Sequence, residues 1–360
     1  MTTDARQLNG TADAPVRVDL PCAWMANKVR DETDWIWSIT DAHVQEIDAA
    51  LRYSKAQGLS EQDVTRASFP LDGFATELRR LMHELEFGRG FVLMRGFPVD
   101  RYDYKDLRRI YWGIGTHIGR AQSQNINGQL MQEITDLGFD YTKSEHRGSM
   151  TSAELRPHCD ITDVVGLLCL RKARKGGSST IRSAMTIYNE ILDHHPEYLP
   201  ALHRGFHFEL DGKGPTGRPD EVTHRIPVYS WHQGYIACRF NQKAIEGGAV
   251  KAGAPLTPLQ QQAIDEVGAL AERDDIKLSM DFEPGDIQWL NNHVILHSRT
   301  HYEDHAEPDR RRLLLRLWLN HENARPLDYD FANKALNGPR RGVVARPATY
   351  DGVAAAASDS

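Results

Sequence analysis

The residues of this chain that could do chemistry gather first in Arg156-Pro157-His158-Cys159-Asp160. Side chains at i and i+2 of an extended strand share a face, so His158 and Asp160 can present an imidazole and a carboxylate to one point. A third ligand must come from elsewhere, and the candidate is His297, in Ile295-Leu296-His297-Ser298-Arg299. Two histidines and one carboxylate on one face of an octahedron leave three positions open, the arrangement of non-haem Fe(II) centres that take a cosubstrate and O2. His-x-Asp alone is a weak signal in a chain with 16 histidines. The same three residues could also hold zinc in a hydrolase.

The second group is Arg312 and Arg316. The segment Arg310-Arg311-Arg312-Leu313-Leu314-Leu315-Arg316-Leu317-Trp318-Leu319 reads as a buried strand. Period two places Arg312, Leu314, Arg316 and Trp318 on one face and Leu313, Leu315, Leu317 and Leu319 on the other. The leucine face must pack on something apolar, and helices are the expected cover. The opposite face then carries two guanidiniums toward the interior of a barrel. Buried cations need anionic partners. A dicarboxylate such as 2-oxoglutarate supplies one, because guanidinium grips a carboxylate through two parallel hydrogen bonds. Internal Asp or Glu residues are the other available partners.

These residues need elements to hold them. Thr40 can cap a helix with Val44, Ile47 and Leu51 on one face. Residues 71–87 place Leu71, Phe74, Leu78, Leu81, Met82 and Leu85 at helical spacing. Gly88 and Gly90 end that helix, Phe91-Val92-Leu93-Met94 follows as a buried strand, and another helix is predicted over 104–118. Beyond Leu130, short apolar runs bounded by turn residues predict strands over 164–170, 235–240, 287–290 and 312–320. Helices interrupt them near Ser183 and at Thr257-Pro258-Leu259-Gln260, which combines an N-cap, proline at N1 and a capping-box glutamine. There is no internal repeat and no linker between two cores. The polar segment 136–152, just ahead of His158, reads as a lid or an ordinary surface loop.

Composition narrows the functional classes. The net charge of −7 argues against a general nucleic-acid binder, which shows a basic face. Cys22, Cys159, Cys169 and Cys238 are widely spaced, which argues against a disulfide framework and fits a reducing cytoplasm. The first 16 residues are polar and lack the apolar core of a signal peptide. No run approaches the roughly 18 apolar residues of a membrane span.

In chain order, Arg156-Pro157-His158-Cys159-Asp160, Gly166-Leu167-Leu168-Cys169-Leu170-Arg171, Gly176-Gly177-Ser178-Ser179, Pro284-Gly285-Asp286-Ile287, Asn292, Leu296-His297-Ser298-Arg299 and Arg311-Arg312-Leu313-Leu314-Leu315-Arg316 resemble the taurine dioxygenase (TauD/TfdA) family. These are Fe(II)/2-oxoglutarate-dependent oxygenases of the clavaminate-synthase-like superfamily. The resemblance implies a mainly β fold with surrounding helices, a double-stranded β-helix or jelly roll in a single domain. That domain would cover 21–335 with a helical N-terminal part, between a flexible N-terminus (1–20) and a disordered tail (342–360). It implies His158, Asp160 and His297 as the iron ligands and catalytic centre. Arg312 would bind the far carboxylate of 2-oxoglutarate, and Ser179 would add a hydroxyl there, with Thr180 as the near alternative. Arg316 would lie deeper along the same face and touch either the cosubstrate or an acidic group of the substrate. Relatives often carry Thr or Ser between the proximal ligands. The Cys159 found here should point away from the metal and pack.

The implied reaction consumes 2-oxoglutarate and O2 at Fe(II), releases succinate and CO2, and hydroxylates an unactivated C–H of a small molecule. Relatives that halogenate usually lack the carboxylate ligand, so Asp160 makes hydroxylation the default. Desaturation or ring closure in natural-product metabolism stays open, as does a non-catalytic metal-binding sensor. The expected substrate bears a carboxylate or an amino-acid-like group. Arg316 would suit an anion, Glu154 an amine, and Gln124, in Gln122-Ser123-Gln124-Asn125-Ile126-Asn127, would line the pocket mouth; each is equally readable as a structural polar residue. His293, His301 and His305 read as surface residues or supports around His297. No nucleic-acid or membrane partner is expected, and self-association into a homo-oligomer is left open.

Overall fold

The computed structural model describes residues 15–138, 151–332 and 343. Its strands, in chain order, are β1 (Ile36–Ser38), β2 (Phe91–Arg95), β3 (Arg120–Ala121), β4 (Met131–Ile134), β5 (Leu155–His158), β6 (Val164–Arg171), β7 (Lys175–Gly176) and β8 (Ser179–Ser183). They continue with β9 (Tyr229–His232), β10 (Tyr235–Cys238), β11 (Leu278–Met280), β12 (Ile287–Asn291), β13 (Ile295–Arg299), β14 (Tyr302–Glu303) and β15 (Leu313–Asn320). The major sheet runs β1-β2-β12-β6-β15-β3, with β4 also paired to β15, and the minor sheet runs β11-β8-β13-β5.

The alternation along β15 decides how the major sheet is covered. Leu313, Leu315, Leu317 and Leu319 are buried in a core shared with Ile47, Phe74, Leu78, Leu81, Ile110 and Ile114, from the helices Asp41–Ala56, Gly73–Phe87 and Tyr104–Ile118. Each fully buried leucine is worth about 1.5–3 kcal/mol. A one-residue slip would put all four on the wrong face of the sheet, so the register is strongly fixed. The other face meets the minor sheet: Leu93, Val165, Leu290, Leu314 and Trp318 share a core with Ile181, Leu278, Met280 and Ile295. The result is two facing sheets with helices outside, the jelly-roll architecture expected from the sequence.

The helix starts follow the capping residues. Thr40 accepts from the His43 N–H, Ser183 from Thr186, and Thr257 from Gln260, with Pro258 at the first helical position. The helices Ala184–His194 and Pro258–Ala271 back the minor sheet, burying Ile187, Ile191, Ile264 and Val267. Among the described residues no helix is long and apolar enough to cross a membrane.

Two boundary expectations need correction. Within 1–20, the described residues are held by the fold: Val18 is buried, its N–H donates to Asn189 Oδ1 at 2.8 Å, and Asn189 Nδ2 donates to Val18 O at 2.8 Å. A paired side-chain amide satisfies that backbone as a strand partner would. Within 342–360, Val343 is buried and its N–H donates to Ser123 O at 2.8 Å. The rest of both segments, and residues 139–150 of the loop read as a lid, lie outside the described residues.

Candidate metal and cosubstrate site

His158 closes β5, and His297 sits directly opposite it on β13. Residues paired across strands share a face, so both imidazoles point between the sheets, with ring centroids 4.5 Å apart. Asp160 follows just past the end of β5. Its N–H donates to Asn292 Oδ1 at 3.1 Å, from the turn between β12 and β13, and its carboxylate turns back toward the imidazoles. One ligand atom from each of the three residues lies within 4.8 Å of the others, and no other such group occurs among the described residues.

The protonation states suit a cation. His158 Nδ1 stands 2.8 Å from Arg156 O. An N–H there donates to that carbonyl and leaves the Nε2 lone pair facing Asp160 Oδ1, 3.8 Å away. Burial, then the neighbouring His297, pushes the His158 pKa down to about 4, so the ring is neutral at pH 7. Burial alone would raise Asp160, but Arg316, His297 and His158 together outweigh it and hold the carboxyl well below its usual range. Asp160 Oδ2 accepts a hydrogen bond from Trp318 Nε1 at 2.8 Å. The same oxygen lies 3.6 Å from His297 Nε2 and 3.7 Å from Arg316 Nη1.

Arg312 immediately precedes β15 and is only 5% exposed. Its N–H donates to Asp304 Oδ1 at 2.7 Å, and its guanidinium carbon lies 5.0 Å from the centre of the Tyr302 ring. Nη1 is buried and has no hydrogen-bond partner among the described residues. An unsatisfied buried donor costs about 1–3 kcal/mol, more when charged, and burial pushes this guanidinium's pKa down. A carboxylate from outside the chain could accept from this donor. Gly177, at φ 78°, lets the chain pass beneath it: a Cβ there would stand 3.1 Å from Arg312 Nε. Ser179 opens β8, is buried opposite Arg299 on the inner face, and donates to Gln288 Oε1 at 3.0 Å. Thr180 points to the other face, where its Oγ1 meets Ser298 Oγ at 2.6 Å and Arg182 Nη1 at 2.7 Å.

The three residues assigned to substrate separate. Arg316 is where the alternation puts it, but Nε is held by Gln124 Oε1 at 2.7 Å and Nη2 by Gln132 Oε1 at 2.9 Å. It reaches Asp160 rather than a deeper recess. Gln124 is not at a pocket mouth. It is fully buried, and its Nε2 donates to Leu130 O and Arg316 O at 3.0 and 2.8 Å. Two backbone carbonyls and a guanidinium absorb the amide, so it holds Arg316 instead of meeting a ligand. Glu154 is exposed, and its charge is felt at Arg182, on the face of the minor sheet turned away from His297. The β-bulge between His297 and Arg299 breaks the simple alternation that aimed it inward.

Cys159 is buried against the backbone, its Sγ 3.7 and 3.8 Å from Cys238 O and Ile295 O. It packs, as expected. His301 is exposed and His305 half-buried, while His293 is buried in a pair with Asp163, Nε2 to Oδ1 2.8 Å. The sequence reading missed Gln132, Tyr302 and Trp318 as parts of the site. Trp318 had a signal, since it shares the Arg316 face in the period-two pattern. For Tyr302 and Gln132 no local pattern marks their partners.

A pocket that asks at once for a divalent metal and for a dicarboxylate defines the class of non-haem iron oxygenases that use 2-oxoglutarate. The chain matches the family described as taurine catabolism dioxygenase TauD, TfdA over residues 55–318. It belongs to that family and is an Fe(II)/2-oxoglutarate-dependent dioxygenase. It is 32% identical over 306 residues to FR-33289 synthase of Streptomyces rubellomurinus, covering 84% of this chain and 90% of that protein. It is 27% identical over 306 residues to the taurine hydroxylase-like protein SAT17 of Stachybotrys chartarum, covering 82% and 77%. Among solved structures, an asparagine oxygenase with Fe(II), 3-hydroxyasparagine and succinate superposes with a TM-score of 0.63 at 16% identity, covering 86% of this chain and 100% of that one. The non-haem iron oxygenase OrfP with Fe and α-ketoglutaric acid gives 0.56 at 15% identity, covering 79% and 94%. At such identities these structures speak to the fold, which they share.

Proposed function

We propose that the protein hydroxylates an unactivated C–H of a small molecule bearing a carboxylate or an amino-acid-like group, with His158, Asp160 and His297 holding the iron. The convergence of these three residues on the inner face, within 4.8 Å, carries the reading. Bound there, Fe(II) with 2-oxoglutarate and O2 would supply the oxidising power for C–H cleavage, with succinate and CO2 as co-products. The chain supplies position. His158 and His297 would hold the ion through ring nitrogens and Asp160 through its carboxylate.

Arg312 is assigned the far carboxylate of 2-oxoglutarate, since its Nη1 is a buried, charged donor with no hydrogen-bond partner among the described residues. Ser179 is assigned to the same carboxylate from the inner face of β8, turning its hydroxyl from Gln288. Arg316, clamped by Gln124 and Gln132, keeps Nη1 at the metal end, where it can meet an acidic group of cosubstrate or substrate. The amino-acid ligands named for the two structural neighbours are in keeping with such a substrate. Family membership disfavours the sensor and zinc-hydrolase readings.

The test is a screen of amino acids, small carboxylates and sulfonates for stimulated release of succinate by the Fe(II)-loaded protein. Stimulation by one class, with an oxygenated product, is the expected result. No stimulation by any carboxylate or amino acid would remove the substrate assignment.

A further inference from the structure

We propose that Trp318 is a positioning residue that selects which oxygen of Asp160 faces the metal, keeping the carboxylate a one-oxygen ligand. The two oxygens have different surroundings. Oδ2 takes the indole N–H at 2.8 Å and has Arg316 Nη1 at 3.7 Å and His297 Nε2 at 3.6 Å, so what sets it apart is the hydrogen bond and the guanidinium. Oδ1 has no hydrogen bond among the described residues and faces only His158 Nε2, at 3.8 Å. A carboxylate can bind a cation through one oxygen or both. Nothing in the backbone of Asp160 forbids the second mode; the constraint is on the side chain, and it comes from the major sheet.

Trp318 is well placed to impose it. It is buried on β15, and its ring lies 4.9 Å from the Arg316 guanidinium carbon. That guanidinium is itself fixed by Gln124 and Gln132, so the indole has one orientation. Its N–H, a donor with no acceptor capacity, reserves Oδ2 and leaves Oδ1 for the ion. The consequence concerns the cosubstrate. A second oxygen from Asp160 on the ion would compete with 2-oxoglutarate for it.

This inference rests on His158, Asp160 and His297 being the metal set. The test compares wild type with Trp318→Phe and with 3-benzothienylalanine at position 318, which keeps the bicyclic shape and lacks only the N–H. Fe(II) affinity is measured anaerobically by competition with a chromogenic chelator. 2-Oxoglutarate is then titrated into the Fe(II) protein, following the visible charge-transfer band. Both variants should still bind Fe(II) yet need about tenfold or more 2-oxoglutarate to develop the band, at a shifted maximum, as expected for a lost partner of a metal-ligating carboxylate. The isosteric analogue guards against loss of fold in Trp318→Phe. Wild-type titration by the benzothienylalanine protein would overturn the role of Trp318 and leave the metal assignment standing. A wild-type protein that binds no Fe(II) and develops no band would overturn the metal assignment itself.

Discussion

The two walls of the pocket differ in how complete they are. On the minor sheet, His158 and His297 face each other across one strand pair, and Asp160 is tied by its backbone to Asn292. One strand pairing and one hydrogen bond from the β12–β13 turn place all three residues. At the major sheet, Arg312 stands just before β15 and Arg316 on it, yet Arg316 is clamped by two glutamines and Arg312 ends in a buried nitrogen with no hydrogen-bond partner among the described residues. On the proposed assignments, the metal end is set by the fold, whereas the cosubstrate end holds a buried donor nitrogen that a carboxylate would satisfy. Preorganised ligands favour tight, specific metal binding, and an unmet charge favours capture of a dianion over stability of the empty protein.

Four substitutions would break or sharpen that contrast. Asp160→Ala removes the anionic ligand from the preassembled end. Succinate formation should fall by about three orders of magnitude or more, with far-UV circular dichroism unchanged; normal turnover would take Asp160 out of the ligand set. Arg312→Ala acts on the incomplete end. The KM for 2-oxoglutarate should rise about a hundredfold, as expected for a lost buried charge pair of roughly 3 kcal/mol. The empty protein should not be strongly destabilised, because an unsatisfied buried donor goes with the side chain. A fall in melting temperature as large as that of a core leucine truncation would contradict the idea of an unmet charge.

Gln124→Ala should loosen Arg316 without touching Arg312. The expected signature is a KM for the substrate raised about tenfold, equivalent to about 1.4 kcal/mol, with the KM for 2-oxoglutarate nearly constant and succinate release partly uncoupled from product. An equal rise in both constants would place Arg316 on the cosubstrate. The smallest effect is expected from Gly177→Ala. A non-glycine residue at this φ costs about 1–2 kcal/mol, and the added Cβ crowds Arg312 Nε. A modest loss of stability together with a severalfold higher KM for 2-oxoglutarate should follow; stability loss with an unmoved KM would show that the turn does not govern Arg312.

Much of this site is legible in the chain. His158 and Asp160 stand out by i, i+2 spacing, and the leucine–arginine alternation of β15 correctly separates a helix-covered face from a pocket face. Ser183 and Thr257 mark helix starts through capping chemistry that needs no tertiary contact. What the chain hides is side-chain partnership across long separations. Gln124 meets Arg316 only because β3 and β4 both pair with β15, and nothing near Gln124 announces that. Glu154 is misread because the alternation rule assumes an unbroken ladder, which the β13 bulge interrupts. Trp318 lies on the right face, but its role depends on where Asp160 turns after β5. That turn is set by Asn292 and not by any residue beside it.

The hairpin turn after β12 thus acts as a single anchorage for the whole cluster. Asn292 holds the Asp160 N–H, its own N–H donates to Asp163 O at 2.9 Å, and His293 locks Asp163 from the next position, while His297 follows a few residues along the same hairpin. Loss of this one clasp would scatter two ligands together, so iron retention should fail in one step and not by degrees.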